Sequence, residues 1–313
     1  MLDPIYINTV RLLLDVVPDV FADPLFAMKG GTAINLFTRD APRLSVDIDL
    51  VYLNGAEPRE VALPAIAAGL QRIAARLEAR KLTALPVRTG ADQESKLLVM
   101  EGHGGLILKI EVNTVFRGTV LPVRALQPVS AATAQKFGIQ VYAPILDPSE
   151  LYAGKLVAAL DRQHPRDLFD TWMLYQHEGL TSVLLDCLVV YLAGHNRPTH
   201  EVLGGTDKVL DQVYEDQFIG MTEVEPPTLA VLLETRARLR QDVLTHLTPE
   251  HRHFLLGLSN AAPDWTLLAQ PLVQDLPALR WKLQNLTLFK TRQPAKSEAQ
   301  AAALRSLLFP VGL

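Results

Sequence analysis

Two aspartates, Asp47 and Asp49, stand two residues apart in the run Val46-Asp-Ile-Asp-Leu50. A third acid, Glu111, lies in the alternating run Leu106-Ile-Leu-Lys-Ile-Glu-Val-Asn113. In an extended chain alternate side chains share a face, so Asp47 and Asp49 point one way while Val46, Ile48 and Leu50 anchor the other. Two like charges so placed repel and call for a compensating cation. Paired carboxylates on a rigid strand suit Mg²⁺, a hard ion that favours oxygen ligands and keeps several waters, with Mn²⁺ as the alternative. Glu111 shares its face with Lys109 and Asn113 and is the expected third ligand. Three acids can hold two ions, one activating an attacking hydroxyl and one stabilising a leaving pyrophosphate. An exposed strand face can also carry two acids without any such purpose, so the elements around them matter.

The first of those elements is Gly30-Gly31, approached by the short apolar run Phe26-Ala-Met-Lys29 and followed by Thr32-Ala-Ile-Asn-Leu-Phe37. The order reads as strand, glycine turn, helix. Glycines let backbone N–H groups come close to a phosphate, and the helix behind them directs its positive end to the same place. A turn that needs glycine for steric reasons alone is the plainer alternative. A helix is expected over residues 5–17 and another over 60–81, the latter with Arg72, Arg76, Arg80 and Lys81 towards its end, where the helix dipole favours cations. Strands are expected over 46–53, 96–100, 106–113 and 140–146, with Gly104-Gly105 turning the chain between the second and third. Asp147-Pro-Ser-Glu150 resembles a helix start, and the helix it opens should run through Ala159. Beyond it nearly everything reads as helix with short polar connections, including a tail over 296–308. The expected class is therefore α+β: an N-terminal α/β domain over 1–146 built on a mixed sheet, then a mostly helical domain over 147–313 that completes a cleft.

Composition narrows the function classes. A chain of 313 residues with 49% hydrophobic and 20% charged residues can bury two cores. Its longest apolar runs, such as 187–194, fall well short of the ~18 to 20 residues of a membrane span. The start, Met1-Leu-Asp-Pro-Ile-Tyr6, has no basic segment leading into an apolar one, so a cytoplasmic protein without membrane attachment is expected. The single cysteine, Cys187, lies in an apolar stretch and is expected in the core; it allows no internal disulfide and no cysteine-built zinc site. A net charge of -4 argues against a generally basic nucleic-acid binder, so any RNA contact must be local. The basic groups available for it are Arg72/Arg76/Arg80/Lys81, Arg162/His164/Arg166, Arg236/Arg238/Arg240 and Lys282/Lys290/Arg292. Such clusters are commonly solvated faces. No close pair of histidines suggests a metal site.

Taken in order, glycine pair, helix, Asp-x-Asp strand and later strand acid resemble the DNA polymerase beta-like nucleotidyltransferase superfamily. More closely, Lys29-Gly-Gly-Thr-Ala-Ile-Asn-Leu36 with Arg43-Leu-Ser-Val-Asp-Ile-Asp-Leu50 resembles the first motif of the AbiEii/AbiGii nucleotidyltransferase toxin family, which includes MenT-like toxins. Glu150-Leu-Tyr-Ala-Gly-Lys155 and Arg166-Asp-Leu-Phe-Asp170 resemble its later lysine and Arg/Lys-Asp motifs. The resemblance implies a toxin of a toxin–antitoxin or phage-defence pair, with a cognate antitoxin as partner. It implies a nucleoside triphosphate substrate and, as in family members that extend tRNA 3′ ends, a tRNA acceptor.

On that resemblance Gly30, Gly31 and Thr32 cradle phosphate, and Lys155 binds triphosphate oxygens as a point charge. Asp167 orients Lys155 or touches the nucleotide, while Asp170, one turn later, caps or pairs. Arg162, His164 and Arg166 adjoin these residues and are the favoured contacts for acceptor phosphates. Ser45, on the strand face of the acids, is a candidate for regulatory phosphorylation, since about two negative charges beside Asp47 would repel the triphosphate; a serine that merely ends a turn is the simpler reading. Two other functions stay open. The acceptor can be a protein or small-molecule hydroxyl, and the chain can be an inert module that binds nucleotide or antitoxin without turnover.

Overall fold

The computed structural model describes residues 2–88, 94–101, 105–222 and 225–310. The expected turn at Gly104 lies outside them. Contacts divide the chain into two units, Met1–Leu151 with Ile219–Pro226, and Tyr152–Phe218 with Pro227–Leu313. The return of 219–226 to the first unit departs from a linear division at 146/147. Backbone bonds account for it: Asp3 N–H donates to the Gly220 carbonyl at 3.0 Å and Leu44 N–H to the Met221 carbonyl at 2.7 Å.

The first unit is built on seven strands: β1 (Phe26–Lys29), β2 (Asp47–Tyr52), β3 (Thr83–Arg88), β4 (Glu94–Met100), β5 (Ile107–Asn113), β6 (Arg124–Pro128) and β7 (Tyr142–Ile145). They form one mixed sheet in the order β3-β4-β5-β2-β1-β7-β6. The pairs β2/β5 and β1/β7 are parallel and the other neighbours antiparallel. Alternation fixes the register. Ile48, Leu50, Leu108, Ile110 and Val112 are buried, whereas Asp47, Asp49, Lys109 and Glu111 keep partial exposure. A slip by one residue would bury the acids and expose the aliphatics, forfeiting roughly 1.5–3 kcal/mol for each aliphatic side chain. Helices α1 (Pro4–Val20) and α3 (Arg59–Ala79) pack against the sheet and each other. The fully buried Leu13, Leu14, Val16 and Val17 of α1 form the apolar stripe whose period marks the helix in sequence.

Between β1 and β2 the chain makes a helical turn, α2 (Gly30–Thr32), which runs into a π-helical stretch, Ala33–Thr38. The expected helix thus begins at the glycines themselves, and its wider turn is held by the Thr38 hydroxyl donating to the Ala33 carbonyl at 3.1 Å. Strands β3 and β6 have no counterpart in the sequence reading. Both are sheet edges: β3 tolerates Pro86 because an edge position need not donate, and β6 is broken by Leu126 at φ 48°. A short helix, α4 (Ala131–Phe137), lies between β6 and β7.

Helix α5 (Pro148–Asp161) leads into the second unit, which is helical: α6 (Pro165–Gln176), α7 (Ser182–Ala193), α8 (Thr199–Leu203), α9 (Asp211–Gln217), α10 (Leu229–His246), α11 (Pro249–Ser259), α12 (Pro277–Arg292) and α13 (Pro294–Leu308). Its central element is α7, in which Leu184, Leu185 and every residue from Cys187 to Ala193 are buried. The thiol of Cys187 accordingly lies in the core. No described helix is long and apolar enough to cross a membrane.

Candidate active site

Strand register brings the charged residues of the first unit side by side. Along one level of the sheet Lys29 of β1 pairs with Asp49 of β2, Asp49 with Glu111 of β5, and Glu111 with Lys96 of β4. Two residues back along β2, Asp47 stands opposite Lys109. Two central acids are thus flanked by two lysines, with an acid and a lysine at the adjoining level. Lys96 Nζ lies 3.1 Å from Glu111 Oε1, and Lys109 Nζ lies 3.3 Å from Glu111 Oε2 and 3.9 Å from Asp47 Oδ1. Burial pulls the Lys109 ammonium down, but the carboxylates of Asp47, Glu111 and Asp49 outweigh it and raise Lys109 above the ordinary lysine range.

The glycine pair closes over this row. Gly30 adopts φ +74°, and a Cβ placed there would run into the Asp49 carboxylate. A Cβ on Gly31 would come 2.8 Å from Arg43 Nη2 and 3.0 Å from Ser45 Oγ. At Gly30 both the backbone angle and the close approach require glycine. Thr32, 1% exposed, donates its hydroxyl to the Asp47 carbonyl and lies 3.0 Å from Ser45 Oγ. The helical turn is thereby fastened to the start of the acid strand. Ser45 is buried, as is Arg43, whose guanidinium donates to the Leu44 carbonyl at 2.9 Å.

Asp47 and Asp49 offer the hard oxygen donors that Mg²⁺ or Mn²⁺ takes, and both keep solvent access. They are the residues that would hold such an ion. Each Glu111 oxygen carries an ammonium, at 3.1 and 3.3 Å, and Asp47 shares Lys109 at 3.9 Å. Among the described residues no three His, Cys, Asp or Glu side chains gather into a preformed metal cage. Glu111 thus stands in the same row as the two aspartates, paired with Lys96 and Lys109.

In the second unit, Lys155 of α5 is buried between two carboxylates, with Nζ 2.8 Å from Asp167 Oδ1 and 3.0 Å from Asp170 Oδ2. Arg162 adds a second cation, donating Nη2 to Asp167 Oδ1 at 2.8 Å and Nε to the other oxygen. Burial alone would raise the Asp167 carboxyl, yet the neighbouring ammonium and guanidinium hold it well below the usual carboxylate range. Asp170 pairs, as expected, and its partner is Lys155.

The family model for the AbiEii toxin, a nucleotidyl transferase of type IV toxin–antitoxin systems, matches residues 11–285. This chain belongs to that family. It is a nucleotidyltransferase toxin, and the sheet, the glycine turn and the lysine helix all lie inside the matched span. Among solved structures, MenT4, a nucleotidyltransferase toxin from Mycobacterium tuberculosis H37Rv, is similar in fold, with a TM-score of 0.56 and 18% identity over 95% of this chain and 94% of that one. Terminal uridylyl transferase 4 from Trypanosoma brucei with bound dUTP aligns at a TM-score of 0.30 and 14% identity, over 96% of this chain and 92% of that one. No curated protein matches.

Most of the basic clusters of this AbiEii toxin are spent inside the fold. Arg72 and Arg76 pair with Asp23, and Arg80 pairs with Asp15 and Asp19, tying α3 to α1 and its following turn. Arg236 and Arg240 pair with Asp207, and Arg238 with Asp242. Lys282 is buried, its ammonium donating to the carbonyls of His195, Asn196 and Arg197 at 2.8 to 3.2 Å. His164 is the N-cap of α6: Nδ1 accepts from the Arg166 N–H at 3.1 Å and Nε2 meets Gln217 Oε1 at 3.1 Å. Burial lowers its pKa below the ordinary imidazole value. Arg162, by contrast, is exposed along its side chain while it reaches Asp167. The sequence reading did not single out Lys96. Its alternation with Leu97 and Val99 was visible, but its place beside Glu111 depends on an antiparallel register set by residues far away in sequence.

Proposed function

We propose that this AbiEii toxin transfers a nucleoside monophosphate from a nucleoside triphosphate to a hydroxyl in a Mg²⁺-dependent reaction, with a tRNA 3′ end as the acceptor. The observation that carries the proposal is the seating of Gly30 against the Asp49 carboxylate, because it sets backbone at a helix start beside two solvent-accessible acids on one strand face. A phosphate there meets donors and the positive end of the turn, and Asp47 and Asp49 would hold a divalent ion, which when bound would supply charge to the triphosphate and the leaving pyrophosphate. The acceptor hydroxyl oxygen forms a bond to the α-phosphorus and gives up its proton to solvent, the bond from that phosphorus to the bridging oxygen breaks, and pyrophosphate leaves with the bond's electron pair. The protein's part is chiefly orientation. On the family resemblance, Lys155 engages triphosphate oxygens, with Asp167 and Asp170 as its positioning residues, and a cognate antitoxin is the regulatory partner.

The test is incubation of the protein, and of Asp47→Ala/Asp49→Ala, with total tRNA, Mg²⁺ and each α-labelled nucleoside triphosphate in turn. Label on tRNA that disappears in the double variant supports the reading and names the base. One observation favours a second reading, transfer to a protein or small-molecule hydroxyl: Arg72, Arg76, Arg80, Arg236, Arg238 and Arg240 are all committed to intramolecular carboxylates, which reduces the basic surface an RNA would use. Label that stays in protein after nuclease treatment would decide for it. Nucleotide binding with no pyrophosphate release from any acceptor would leave an inert binding module.

A further inference from the structure

Charge balance in the acid row differs from that of a bare carboxylate cluster. Asp47, Asp49 and Glu111 carry three negative charges, and Lys29, Lys96 and Lys109 stand across from them in register as three positive ones. Lys109 is central: its ammonium is within 4 Å of both Asp47 and Glu111, on an acid strand's parallel neighbour, and its side chain is 36% exposed. Lys96 holds the other Glu111 oxygen and so keeps Glu111 turned along the sheet.

We propose that Lys109 is a resident counter-cation of the aspartate pair, which a divalent ion must outcompete, so that this toxin takes up its metal weakly alone and well only together with the nucleotide. The inference rests on the reading of Asp47 and Asp49 as metal ligands. Its physical basis is that an ammonium ~4 Å from a ligand carboxylate both repels an incoming divalent ion and satisfies part of the charge that would attract it. A triphosphate reverses the balance, because it brings four further negative charges and gives the Lys109 ammonium an anionic partner in place of Asp47. Lys109 is in this sense a positioning residue. Glu111 acts through Lys109 and Lys96 and is not itself a ligand.

Direct Mn²⁺ binding to the full chain, followed by the paramagnetic resonance signal of unbound Mn²⁺, tests the proposal without relying on turnover. Lys109→Met is expected to bind Mn²⁺ on the order of tenfold more tightly than the parent in the absence of nucleotide, the size of one partly screened charge at this distance. Lys109→Arg should bind as the parent does, and adding Asp47→Asn/Asp49→Asn to Lys109→Met should abolish the gain. Glu111→Gln should leave Mn²⁺ affinity within a few-fold of the parent. Melting curves with and without Mn²⁺ show that each variant is folded. Unchanged or weaker Mn²⁺ binding by folded Lys109→Met overturns the proposal, as does a loss in Glu111→Gln equal to that in Asp49→Asn. If neither parent nor Lys109→Met binds Mn²⁺ with or without nucleotide, the metal reading fails together with it; if the parent binds with nucleotide but Lys109→Met gains nothing, only the role of Lys109 fails.

Discussion

Replacing Gly30 by alanine adds a methyl group where the Asp49 carboxylate already lies, at a residue whose φ is +74°. The left-handed backbone alone costs an L-residue roughly 1–2 kcal/mol. The clash adds to that unless Asp49 swings aside, and on the proposed function moving Asp49 also displaces a metal-binding carboxylate. A shift of ~1 Å in a positioning group costs roughly 10²-fold in rate. Gly30→Ala should therefore lose about 1–3 kcal/mol in urea unfolding and about 10²-fold in kcat for transfer of labelled nucleotide. Gly31→Ala is the control, since its new Cβ meets only the far ends of the Arg43 and Ser45 side chains; its loss should be smaller in both assays. A double cycle separates the two contributions. In an Asp49→Ala background the carboxylate contact is gone and only the β-carbon at 3.1 Å remains, so Gly30→Ala should then cost little more than the ~1–2 kcal/mol of the backbone. Wild-type stability and turnover in Gly30→Ala, or an unchanged cost in the Asp49→Ala background, would refute the claim that Gly30 is required by its approach to Asp49.

Three further expectations concern other parts of the molecule. Because the folded Asp167 carboxyl titrates below its ordinary value of 3.8, it contributes stability that is present above that value and is lost as pH falls through the acid range. Asp167→Asn, which leaves Lys155 and Arg162 undercompensated, should lose about 3–5 kcal/mol at pH 7, and the gap to the parent in urea midpoint should narrow from pH 5 to pH 3; a constant gap would argue against the pairing. Ser45 is buried against Thr32, so Ser45→Glu should place a charge beside Asp47 and lower nucleotide transfer by on the order of 10²-fold or more, whereas Ser45→Ala should cost little; full activity in Ser45→Glu would end the idea that phosphorylation there silences the toxin. If tRNA is the acceptor, Arg166→Glu should weaken its KM and flatten its salt dependence while Arg72→Glu should act on melting temperature instead, and equal effects of both on KM would point to a broad basic surface.

The local chemistry was legible in the residues. Alternation alone put Asp47 and Asp49 on one strand face and Glu111 with Lys109 on another, and the burial of Ile48, Leu50, Ile110 and Val112 follows that pattern. The glycine pair, the helix of Lys155 and the largely helical second half were legible for the same reason: backbone preference and apolar period are properties of neighbouring residues. Edge strands β3 and β6 were not, since Pro86 and the left-handed Leu126 erase the period that would mark them. Neither was the return of 219–226 to the first unit, which depends on backbone bonds to Asp3 and Leu44 and on no side-chain signal. What only the tertiary structure decided is which charges meet. Glu111 became an anchor for Lys96 and Lys109, Asp170 a full partner of Lys155, and most of the arginines internal ties, because cross-strand register and helix docking bring together residues whose separation in sequence carries no information about their distance.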